Sequence, residues 1–169
     1  MLSVPELEAL LVDRESDRVE RKERFVDHDR IRQAICAFAN DLPDHRQPGV
    51  VFVGVRDDGT CANLFIDDDL LLKLAELRSD GRIQPLPTMS VQKLTLRSCE
   101  VAVIEVQPGY NPPVRFDGRV WIRVGPRRAQ ASPDDERRLT EKRRAANLPF
   151  DQQPVSGTSL DDLDLDLFR

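Results

Sequence analysis

The chain lacks most of the features that announce a function outright. No apolar run approaches the ~18 residues of a membrane helix. The start, Met1-Leu2-Ser3-Val4-Pro5-Glu6, does not have the basic-then-apolar order of a signal peptide. The expectation is a soluble, cytoplasmic protein with no membrane partner. Only two histidines occur, His28 and His45. His28 lies between two aspartates and His45 in a polar, proline-containing loop, so neither has a partner at ligand or triad spacing. The glycines form no phosphate-cradling loop, which disfavours a Rossmann or P-loop enzyme. Positive charge is not in excess: 25 Lys+Arg against 30 Asp+Glu give a formal net charge of −5, too acidic for coating DNA by bulk charge. Cysteine is sparse and odd in number. Cys36, Cys61 and Cys99 are far apart, each among apolar neighbours, so buried inert thiols are expected rather than a disulfide or zinc ligands. No internal repeat is present.

What remains is enough for one domain of ordinary size plus short extensions, at 169 residues and 40% hydrophobic. The charge is unevenly spread. Asp151, Asp161, Asp162, Asp164 and Asp166 face only Arg169 in the tail, so most of the acidic excess lies there. Arg119, Arg123, Arg127 and Arg128 follow one another with no acid between them, and local fields matter more to a polyanion than the average. The organisation expected is a folded domain over residues 1–148 and an acidic extension or connector over 149–169.

Ser3 and Glu6 form a capping-box pattern ahead of Leu7, Leu10 and Leu11. Residues 18–23 alternate in charge as a strand would, with Val19 facing inward. Asp27 or Asp29 caps a helix whose apolar positions are Ile31, Ala34, Ile35, Phe38 and Ala39, and Asn40 ends it. Val50 to Val55 reads as a central, doubly covered strand. Asp57-Asp58-Gly59 turns into a second strand near Cys61 to Phe65. A third helix follows over Leu70 to Leu77, capped by Asp67 or Asp68. Val91 to Leu96 and Glu100 to Gln107 form an antiparallel pair joined at Arg97-Ser98. Asp117-Gly118 is a hairpin turn between Val114–Phe116 and Arg119–Val124. Pro133 opens a last helix reaching about Ala146. Strands and helices joined by hairpins rather than uniform crossovers give an α+β fold, a mixed, largely antiparallel sheet flanked by helices.

Three constellations carry candidate chemistry. On a strand, Glu20 and Lys22 share one face ~7 Å apart, and Glu15 lies just ahead of them. Two carboxylates and an ammonium suit a metal-dependent nuclease, in which oxygen ligands hold Mg²⁺ or Mn²⁺ and the metal activates water. A solvated, charge-rich segment explains the same residues. Asp57-Asp58 stand where a strand end can point a carboxylate into a cleft, although a hairpin turn needs no function. In Arg119–Val124 the period of two puts Val120, Ile122 and Val124 in the core and Arg119, Trp121 and Arg123 on the other face. A ring between two guanidinium groups suits nucleic acid, by stacking and forked phosphate pairing, and Arg127 and Arg128 extend the strip. The alternative is a second buried layer, with Trp121 under the last helix and the arginines paired to acids.

Together, Glu15-Ser16, Val19-Glu20-Arg21-Lys22, Ala37-Phe38-Ala39-Asn40, Phe52-Val53-Gly54-Val55-Arg56-Asp57-Asp58-Gly59 and Val120-Trp121-Ile122-Arg123-Val124-Gly125 resemble the Schlafen AlbA-type domain, over roughly residues 3 to 130. The resemblance implies a nucleic-acid-binding module for RNA or DNA, as a homodimer or beside a separate ATPase or effector chain. It also implies a possible metal-dependent endoribonuclease acting on structured RNA such as tRNA. In that case Glu15, Glu20 and an acid of the Asp57-Asp58 turn, Asp58 being favoured, hold Mg or Mn, with Lys22 beside them. The alternative is a non-catalytic DNA-binding or protein-interaction module. The chain departs from the family in its Asp41 to Pro48 loop, where only Gly49 remains of the usual glycine pair.

Overall fold

Local capping chemistry fixes where the first helices begin. The computed structural model describes residues 1–146; the expected acidic extension lies outside the described residues. In α1 (Val4–Val12) the Ser3 amide and hydroxyl donate to the Glu6 carboxylate at 2.7 and 2.6 Å, closing the capping box. The strand β1 (Val19–Lys22) follows. Asp27 caps α2 (His28–Asn40) by accepting from the Arg30 amide. The next residue, Asp41, is left-handed and buried, and its carboxylate accepts the amides of His45 and Arg46. The longer loop after Asn40 is thus wound around an aspartate.

Then come β2 (Gly49–Val53), α3 (Asp68–Ser79) capped by Asp67, and β3 (Ile83–Gln84). The hairpin β4 (Met89–Leu96) and β5 (Cys99–Val106) turns at Arg97-Ser98, both at positive φ as a two-residue hairpin loop requires. Asp117-Gly118 makes the same kind of turn between β6 (Arg115–Phe116) and β7 (Arg119–Val124). β8 (Arg127–Gln130) and α4 (Pro133–Ala146) complete the described chain.

The fold is α+β, as expected, but the strands divide into two sheets. The first has order β1-β2-β5-β4, parallel only between β1 and β2. The second has order β3-β6-β7-β8 and is antiparallel. Helix α2 lies between them. Its Ile31, Ala34, Ile35 and Phe38 pack with Val51, Val53, Ala102, Ile104 and Val106 of one sheet and with Ile83, Phe116 and Trp121 of the other. The outer face of the first sheet, Val50, Phe52, Val101 and Val103, is covered by Leu7, Leu10 and Leu11 of α1. The outer face of the second, Val120 and Ile122, is covered by Leu139 of α4. Gly49 is required where α2 crosses β2: a Cβ there would lie 2.2 Å from Phe38 Cγ.

Four expectations are corrected. Cys61 to Phe65 is not a strand; only an isolated bridge joins Val55 and Cys61. That bridge carries Cys61 over the start of β5, where it forms a disulfide with Cys99 across 38 positions of sequence, with Cα atoms 5.6 Å apart. Only Cys36 is the buried thiol expected of all three, and burial pushes it up to about 12. Residues 127–130 form a strand rather than a mere extension of a basic strip. Val124, expected in the core, ends β7 and is exposed.

Candidate functional site

A cleft of about 450 Å³ opens where β1, the segment before it, the Asp57 turn and the β7–β8 turn meet. Five cationic side chains line it: Arg14, Arg21, Lys22, Arg127 and Arg128. The acids in its lining are Glu20 and Asp57. The parallel pairing of β1 with β2 fixes β1 at a sheet edge, so Glu20 and Lys22 reach outward from an edge strand.

Glu20 is the hub. Its carboxylate receives Lys22 Nζ at 2.7 Å, Arg123 Nη1 at 2.9 Å and Arg128 Nε at 3.7 Å. Burial acts to raise its pKa, but Lys22, Arg128 and Arg123 together outweigh burial and hold it below the usual carboxylate value. Arg123 is only 4% exposed at the side chain. Besides Glu20, it donates to the carbonyls of Asp17 at 3.0 Å, Val19 at 2.9 Å and Pro126 at 2.7 Å, and it lies over the Phe38 ring. It ties the second sheet to β1. Arg128 also donates to the Arg30 carbonyl at 2.6 Å. Arg21 turns away from Glu20 and donates to the carbonyls of Leu11, Leu10 and Asp13 at the end of α1, satisfying groups the helix leaves bare. Lys22, Arg127 and Arg14 present their charge to the cleft itself.

The sequence-predicted residues therefore separate into two groups. Glu20, Lys22, Asp57, Arg127 and Arg128 come together in the cleft. Glu15 is exposed and does not line it. Asp58 does not line it either; its carboxylate accepts the Thr60 amide at 2.9 Å and hydroxyl at 2.6 Å, holding the turn, and the Thr60 hydroxyl bond lowers its pKa. Among the described residues no three His, Cys, Asp or Glu side chains are grouped to hold a metal ion. A three-carboxylate site for Mg or Mn, as the resemblance implied, does not fit this arrangement: only Glu20 and Asp57 of its candidate acids line the cleft, and Glu20 is already paired with Lys22, Arg123 and Arg128.

The Arg119–Trp121–Arg123 face is also corrected in part. The alternation of β7 holds at Val120 and Ile122, but α2 covers the opposite face. Trp121 packs against the central core, and its buried indole N–H has no partner among the described residues. Arg119 is exposed at the far end of β7 and does not line the cleft. The cover predicted for Trp121, the last helix, instead lies on Val120 and Ile122.

The sequence alone assigned no part in the site to three contributors. Arg14 and Arg21 sit in a stretch dense in both signs, with nothing in their spacing to single them out. Asn40, read as a helix end and as the last residue of the Ala37-Phe38-Ala39-Asn40 motif, is 1% exposed and bridges α2 to the second sheet. Its amide donates to the carbonyls of Val114 at 3.0 Å and Trp121 at 2.8 Å, and its oxygen accepts the Val114 amide at 2.6 Å. That bridge sets the height of β7, and so of Arg123 and the turn that carries Arg127.

One solved structure shows the same fold over most of this chain. The chain is similar to the DIP2311 protein of Corynebacterium diphtheriae, with a TM-score of 0.55 at 18% identity, over 85% of this chain and 28% of that one. It therefore spans less than a third of that protein's length. The N-terminal domain of an ATP-dependent DNA helicase RecG-related protein from Nitrosomonas europaea is also similar, with a TM-score of 0.46 at 24% identity, over 64% of this chain and 74% of that one. No curated protein matches the chain. The sequence pattern described as Schlafen, AlbA_2 matches residues 15–132, which takes in every strand and helix that builds the cleft. The chain belongs to the Schlafen, AlbA_2 family.

Proposed function

We propose that the protein binds nucleic acid along this cleft, through the phosphate backbone, without cleaving it. The observation that carries the reading is the convergence of Arg14, Lys22, Arg127 and Arg128 on one concave surface of a chain whose net charge is −5. A polyanion is attracted by such a local field whatever the average charge. Family membership supports the same reading. Among the described residues the cleft lining contains no aromatic side chain on which bases would stack, so recognition by these residues rests on charge rather than sequence.

Each phosphate neutralised contributes about −0.9 to the slope of log affinity against log salt. Four available cations therefore give a slope of about −3 to −4 and modest affinity at physiological salt. Fluorescence anisotropy with labelled RNA and DNA over a salt series tests this. The double variant Arg127→Gln, Arg128→Gln should weaken binding and flatten the slope by about two units. A slope near zero, or a double variant that binds like the wild type, overturns the reading. Labelled tRNA incubated with Mg²⁺ or Mn²⁺ tests the endoribonuclease alternative; cleavage that disappears in Glu20→Ala would establish it in place of binding alone.

A further inference from the structure

We infer that Glu20 is an internal counter-anion that holds the cationic side chains of the cleft in place, rather than a ligand for a metal ion. The inference rests on the proposed binding site and concerns how that site is built.

Three cations from three strands meet at one carboxylate. Lys22 belongs to β1, two residues along the same face; Arg123 comes from β7 and Arg128 from β8. Both Glu20 oxygens are engaged, one by Lys22 at 2.7 Å and the other by Arg123 at 2.9 Å. A divalent cation would have to sit ~2.0–2.6 Å from one of these oxygens. There it would face an ammonium and two guanidinium groups already on the carboxylate. Of the other acids the resemblance assigns to a metal, only Asp57 shares the cleft, while Asp58 is bound to Thr60 and Glu15 stands outside. The donor set is that of an ion-pair cluster.

The same geometry gives Glu20 a role in binding. Without an anion at this point Lys22, Arg123 and Arg128 would repel one another, and Arg123 is too deeply buried to turn away. Glu20 therefore makes the cluster possible, and it also lowers the charge seen by an incoming phosphate. Lys22 and Arg128 retain partial exposure, at 17% and 16% of the side chain, so a phosphate reaches them while Glu20 remains beneath.

Glu20→Gln separates the two roles, because the amide keeps the shape and one acceptor but removes the charge. The variant should melt several degrees below the wild type. At low salt it should bind a labelled duplex about threefold more tightly, the factor for removing a unit charge ~7 Å from a phosphate in a water-like dielectric. Its salt slope should steepen by about one unit. Titration of free Mn²⁺ followed by electron paramagnetic resonance should be the same for both proteins. A stoichiometric Mn²⁺ site in the wild type overturns the inference, and this arm decides even if the variant is too unstable to purify. A folded variant that melts like the wild type, or binds nucleic acid more weakly, overturns it as well. If the wild type binds no nucleic acid, the proposed function fails, and the melting and Mn²⁺ arms still decide the role of Glu20.

Discussion

Asn40→Ala is the sharpest test of how the site is held together. Asn40 contributes three hydrogen bonds, at 2.6, 2.8 and 3.0 Å, between α2 and the second sheet. Each is worth about 1 kcal/mol net, and a buried group left without a partner costs about 1–3 kcal/mol more. The Val114 carbonyl keeps the Cys36 thiol at 3.2 Å, but the Val114 amide loses the partner it has in Asn40. The loss should be about 4–6 kcal/mol, a large part of the ~5–15 kcal/mol that stabilises an ordinary domain. At about 2–4 °C per kcal/mol for a chain of this size, the melting temperature should fall by roughly 8–24 °C. Urea unfolding followed by circular dichroism measures the loss directly. Asn40→Asp keeps the shape but sets a carboxylate against the two carbonyls that Asn40 now serves, so at neutral pH it should be at least as damaging as alanine. A loss below about 1 kcal/mol for Asn40→Ala would refute the view that this side chain fixes β7 and the arginines it carries.

Further outcomes follow from the other contacts. Thiol counting should find no reactive thiol in the native protein, one after denaturation without reductant, and three after reduction, because Cys61 and Cys99 are joined and Cys36 is buried with a pKa of about 12. Reduction closes the question of how much the bond contributes: a loop of 38 residues corresponds to about 4 kcal/mol by chain entropy, readable as a shift in urea midpoint. Gly49→Ala should lose about 1–3 kcal/mol, because the methyl group meets the Phe38 ring on a covered helix; a wild-type midpoint would show that the crossing can open. The folded state favours ionised Glu20, so its contribution is full above an unfolded pKa of about 4.3 and is lost as pH falls through the lower folded value. Stability measured from pH 6 to pH 3 should therefore drop less steeply in Glu20→Gln than in the wild type.

Local chemistry was legible in the sequence. The Ser3–Glu6 box, the Asp27 and Asp67 caps and the turns at Arg97-Ser98 and Asp117-Gly118 are decided by neighbours a few residues away, and each stands where the pattern put it. So does the alternation of β7 at Val120 and Ile122. What could not be read was which layer covers each face. Arg123 bonds partners more than 100 positions earlier in the chain, and Asn40 bonds Trp121 across 81. Arg-x-Trp-x-Arg has the same period whether it meets solvent or a helix. The choice depends on α2 lying between two sheets, and nothing in the local pattern records that. The Cys61–Cys99 pairing depends likewise on β2 and β5 being neighbours. At the cleft, motif spacing grouped Glu20 and Lys22 with Glu15 and favoured Asp58, whereas the cleft is lined by Glu20, Lys22 and Asp57; spacing could not tell a carboxylate aimed at a ligand from one already enclosed by cations.

Lys22 belongs to one sheet and Arg127 and Arg128 to the other. A phosphate chain lying between them, as proposed, would be bonded to both halves of the molecule at once, a cross-brace over a joint otherwise bridged there by the side chains of Arg123 and Arg128. Occupancy should then slow amide hydrogen exchange in β1 and β8 together, while α3, remote from the joint, keeps the exchange rates of the unliganded protein.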